Sequence, residues 1–146
     1  MKKNRKELKA FSILVLVIVA IELIRSIIEL CIAGVPNASE IPGGATEGMV
    51  RASYIIAFVL VFILAIPEIY VGIKGIKIAN GAKSGKAHIV WAVILAILAC
   101  VSLISAIVGM FSNFSVDDIF DVLGAAVHLA LFVFYYVYAC RVAKEK

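Results

Sequence analysis

Four long apolar runs divide this chain, separated by short polar stretches. They cover about residues 10–33, 49–79, 88–111 and 119–141. A helix of roughly 20 apolar residues crosses a ~30 Å hydrocarbon core, and each run reaches that length. The pattern predicts an all-α, integral membrane four-helix bundle, with residues 1–146 forming a single transmembrane domain.

The breaks carry their own chemistry. In residues 34–47, GVPNASEIPGGATE, two prolines and the Gly43-Gly44 pair stop any helix. Residues 80–87, NGAKSGKA, begin with the Asn80-Gly81 turn signal. Residues 112–118, SNFSVDD, form a short acidic loop. Inside the second run, Pro67 lacks a donor and frees the carbonyl of Ile63, so a kink is expected there. Beyond it, Gly72, Lys74, Gly75 and Lys77 read as a helix end entering the interface with snorkelling lysines. Glu68 goes with that end, near the inner face and within reach of Lys74 or His88. On the third run Ala99, Ser102, Ala106 and Gly109 make a stripe of small residues that suits close helix contact. Trp91 fits an interfacial anchor, as do the tyrosines late in the fourth run.

Composition supports this partition. Hydrophobic residues make up 64% of the 146 and charged residues 16%, against roughly half and a quarter in soluble domains. The net charge is +4, and twelve of the fourteen Lys and Arg lie at the N-terminus, between residues 74 and 86, or in the last six positions. The positive-inside rule then places both termini and the 74–86 loop in the cytoplasm. The basic start MKKNRKELK resembles a signal-peptide n-region. The following run is longer than a signal core and carries Glu22 and Arg25 where a cleavage site would lie, so an uncleaved first helix is expected. Basic residues are not interleaved with aromatics, so no nucleic-acid partner is expected. Cys31, Cys100 and Cys140 show no paired or metal-ligand spacing. No cofactor, metal or catalytic motif is expected either, which argues against an enzyme. The sequons at Asn37 and Asn113 fall in the two outer loops.

The candidate chemistry begins with Glu22-Leu-Ile-Arg25-Ser-Ile-Ile-Glu29 in the first run. Ionisable residues in a membrane span mark functional sites by default. Fifteen Leu, Ile, Val or Phe between Phe11 and Ile32 offset their insertion cost. Glu22 and Arg25 are three apart, and Arg25 and Glu29 four apart, so they share a face and can pair. Counting a rise of about 1.5 Å per residue from Phe11, Glu22 lies near mid-membrane, with Arg25 and Glu29 farther out. His128, about 10 Å below Asp121 on the fourth helix, falls level with Arg25. Arg51 opens the second helix near the outer edge. Glu22, Arg25, Glu29, Arg51, Asp121 and His128 therefore form the candidate polar membrane site. The plainer reading of the same charges is buried pairs that fix helix register, with Glu29, Arg51 and Asp121 in water at the outer interface.

The MKKNRK start, and the Gly72-Ile-Lys-Gly-Ile-Lys-Ile-Ala exit into NGAKSGKAHIVWA, resemble small four-span bacterial inner-membrane proteins. That group is defined by layout and implies no activity. Glu22 is similar in placement to the first-helix glutamate of small multidrug transporters, although here Arg25 stands beside it and the first outer loop is long. A faint echo links Glu22-Leu-Ile-Arg-Ser-Ile-Ile to Ser102-Leu-Ile-Ser-Ala-Ile-Val. Two functional expectations follow. The first is a non-enzymatic structural or interaction component of a bacterial cell membrane, partnered by lipid and by itself or another membrane protein. The alternative is a small homo-oligomeric proton-linked transporter or channel using Glu22 with Arg25 and His128.

Overall fold

The computed structural model describes residues 2–32, 46–83, 85–112 and 115–145. These residues form four helices: α1 (Lys2–Ile32), α2 (Glu47–Ala79), α3 (Ala87–Ser112) and α4 (Val116–Lys144). Each helix packs on its neighbours in the cyclic order α1, α2, α3, α4. Residues 33–45 and 113–114 lie outside the described residues, and the sequon asparagines Asn37 and Asn113 lie there with them.

The bundle is turned outward compared with a water-soluble one. Ile24, Ile56, Ile66 and Phe111 are 57% to 81% exposed. Only 6–22% of each helix's most apolar window is buried within the bundle. Water would tolerate only a few hundred Å² of such contiguous surface. All four helices are long and apolar enough to cross a membrane. With their backbone groups paired along the helices, they meet the main demand lipid makes of a spanning segment.

Helix ends follow local rules. Thr46 caps α2, its hydroxyl accepting from the Met49 N–H. Ser115 caps α4 in a reciprocal box: Asp118 N–H donates to the Ser115 hydroxyl, and Ser115 N–H donates to the Asp118 carboxylate at 2.7 Å. The α2 exit is a Schellman turn: Ala82 N–H reaches Lys77 C=O and Gly81 N–H reaches Ile78 C=O. Gly81 supplies the positive φ of 106° that this turn requires. Helix α1 starts at Lys2, well before the apolar run, because polar Lys, Arg and Glu are good helix formers. Helix α2 runs through Pro67 without interruption.

The tightest packing lies toward the end that gathers the N-terminus, the α2–α3 loop and the C-terminus. A Cβ on Gly72 would stand 2.6 Å from Cγ of Leu16, and one on Gly75 would strike the Ser12 hydroxyl and the Tyr135 ring. These glycines let α2 approach α1 and α4 closely, the small-residue logic of membrane helix contact. Leu8, Val15, Val71, Ile78, Phe132 and Tyr135 fill the space between. Two of the polar groups buried here are tied to backbone: Ser12 donates to Leu8 C=O at 2.6 Å, and Tyr135 donates to Val71 C=O at 3.0 Å. His88, edge-on to Tyr135, is buried with no hydrogen-bond partner for its Nε2 among the described residues. Phe11 stacks on Phe134 and Tyr138, and Asn4 donates to Glu145, pinning the start of α1 to the end of α4.

Candidate functional site

Past this packed end the bundle opens into a cavity of about 380 Å³, lined by all four helices. Its wall is apolar, with Leu64, Leu95 and Phe120 among its residues, except where Glu22, Arg25, Glu68, Ser102, Asp121 and His128 line it.

His128 is the hub. Its Nδ1 lies 3.2 Å from Oε1 of Glu22 on α1, and its Nε2 lies 3.8 Å from Oε1 of Glu68 on α2. One ligand atom from each of the three residues can be chosen so that all lie within 4.8 Å of one another. The imidazole stacks on Phe132 one turn along α4, with centroids 5.6 Å apart, which restrains the ring. Glu68 is the most enclosed of the three, its side chain 12% exposed against 19% for His128 and 46% for Glu22.

This geometry has a chemical consequence. A neutral imidazole has one N–H and one lone pair. If Nδ1–H is donated to Glu22, Nε2 turns its lone pair toward the Glu68 carboxylate. Two acceptors then face each other in a poorly screened interior. A positive charge between them, whether a proton or a metal cation, relieves that arrangement. Among the described residues, three carboxylates and one guanidinium line the cavity. With His128 neutral, two negative charges are left over.

The structure sorts the residues expected from sequence. It brings Glu22 and His128 into contact and lines the same cavity with Arg25 and Asp121. Arg51 is exposed near the start of α2 and does not line the cavity. The side chain of Glu29 lies outside the described residues. Glu68 is the correction. It does not sit at an inner interface beside Lys74 or His88 but faces His128. Helix α2 continues eleven residues past Glu68 to Ala79, about 17 Å of helix. Gly72 and Gly75, read as a helix end, are instead the contact surface for α1. The small-residue stripe of α3 is also corrected in part. Ala99, itself buried, and Ser102 both line the cavity, and Gly109 has nothing within 4 Å of a built Cβ.

No protein-family model matches the chain, and no curated protein or solved structure does. The functional reading therefore rests on the cluster itself. Its three members lie on three different helices, so no local spacing in the sequence could announce them as a group. The one available signal was that each is an ionisable residue in an apolar run. Ser102, the counterpart of Glu22 in the α1–α3 echo, lines the same cavity, so the echoed segments face one interior.

Proposed function

We propose that this chain is a non-enzymatic multi-pass protein of a bacterial cell membrane. In this reading it binds a small cation, in the first instance a proton, at Glu22–His128–Glu68 and passes it through the bundle. The observation that carries the reading is the placement of His128 between two carboxylates from separate helices, at the wall of a half-open cavity of about 380 Å³. Imidazole and carboxylate are the side chains that relay protons inside membranes. Both termini face the cytoplasm, because the basic segments gather at one end of the bundle. The interior of four helices is narrow, so the working unit is a homo-oligomer of two or more copies.

One observation favours the second reading, a structural or interaction component. The same contacts tie α1, α2 and α4 together and would fix their register without any transport. The readings separate in liposomes loaded with a pH-sensitive dye. Under an imposed potential, the wild-type protein should admit protons well above the leak of empty liposomes. Glu68→Gln, which keeps the shape of the side chain, should lower that flux about tenfold or more, within the range for loss of an acid–base group. Wild-type flux equal to that of empty liposomes would leave the structural reading in its place.

A further inference from the structure

The cluster offers more than proton chemistry. The gap between Nε2 of His128 and Oε1 of Glu68 is 3.8 Å. That is too long for a hydrogen bond, and two ligand bonds of about 2.1 Å, the length of zinc–imidazole and zinc–carboxylate bonds, span it at an angle at the ion of about 130°, opened from the tetrahedral value. Glu22 at Nδ1 stands where metal-binding histidines keep a carboxylate, which fixes the tautomer and aims the other nitrogen at the ion. Phe132 holds the ring from one side. The adjoining cavity has room for the waters that would complete the coordination shell. Asp121, two turns from His128 on α4, lines the same cavity and adds a carboxylate on the way in.

We infer that Glu68 and Nε2 of His128 directly ligate a divalent first-row transition cation of the zinc type, with Glu22 orienting the imidazole through Nδ1. The inference rests on reading this cluster as a binding site and extends its cargo from protons to metal. The donor set narrows the ion. A mixed imidazole and carboxylate site suits Zn²⁺ and its neighbours, whereas Mg²⁺ and Ca²⁺ prefer oxygen alone. No thiolate lines the cavity among the described residues, so the soft-metal alternatives lack their ligand. A divalent ion also neutralises the two negative charges left over in the cavity.

The test uses the full chain in detergent, titrated with Zn²⁺ by calorimetry and with Co²⁺ by visible absorption. One Zn²⁺ per chain is expected, unaffected by excess Mg²⁺, with Co²⁺ bands of nitrogen–oxygen ligation. Glu68→Gln and His128→Gln should each weaken Zn²⁺ binding by more than about 100-fold. Glu22→Gln should weaken it about 10- to 100-fold, the usual effect of losing an orienting carboxylate. Arg51→Gln should bind like wild type, and circular dichroism should show every variant helical. The wild-type Co²⁺ spectrum stands whether or not a variant folds. Absence of Zn²⁺ binding by wild type overturns the inference, as does unchanged binding by a folded Glu68→Gln. Absent Zn²⁺ binding in a protein that still passes protons overturns this inference alone. Zn²⁺ binding without proton flux supports it and removes the proton reading instead.

Discussion

Nε2 of His128 on α4 stands 3.8 Å from Oε1 of Glu68 on α2, while Nδ1 of the same ring meets Glu22 on α1. One side chain thus joins three helices, and it does so where the packing gives way to a cavity. The site and the bundle are coupled there, and that coupling is measurable.

Glu22 and His128 should behave as one unit in stability. A double-mutant cycle of Glu22→Gln and His128→Gln, read by unfolding in mixed micelles, should give a coupling of about 0.5–3 kcal/mol. Arg51→Gln combined with His128→Gln should be additive, because Arg51 does not line the cavity.

The α1–α2 contact should not accept a methyl group. Gly75→Ala would drive a Cβ into Ser12 and Tyr135, costing about 1–3 kcal/mol in the same unfolding assay. Gly109→Ala meets nothing within 4 Å and should stabilise α3, by at most about 1 kcal/mol. If the two substitutions had equal effects, the close approach would be refuted.

Tyr135→Phe removes a buried hydroxyl that donates to Val71 C=O at 3.0 Å. A loss of about 0.5–1.5 kcal/mol is expected. Zn²⁺ binding at the cluster should be unchanged, because Tyr135 does not line the cavity. The pair of measurements checks that the packed end and the cavity are separable.

Ser115→Ala removes the cap of α4 and should cost about 1 kcal/mol. Amide hydrogen exchange should rise in the first turn of α4 and stay unchanged at His128.

The four helices were legible because long apolar runs leave a chain in lipid few choices. Their ends were less so. Hydropathy marks where lipid begins, whereas helix formation by Lys, Arg and Glu continues into water, so α1 reaches back to Lys2. Counting helical rise put His128 level with Arg25, one turn farther out than Glu22, whereas the structure sets its Nδ1 3.2 Å from Glu22. Counting gives height but not azimuth. Arg51 was grouped with the site on height alone, yet it lies exposed and away from the cavity. Glu68 was missed because Gly72, Lys74, Gly75 and Lys77 have the composition of a helix exit. Their glycines serve contact with α1 and α4, and that role appears only once those helices are in place.

The most direct measurement is dye-reported proton flux per folded protein in liposomes, comparing wild type with the triple variant Glu22→Gln, Glu68→Gln, His128→Gln. The account predicts flux in wild type and only background leak in a triple variant of unchanged helicity. Equal flux from the two proteins would contradict it.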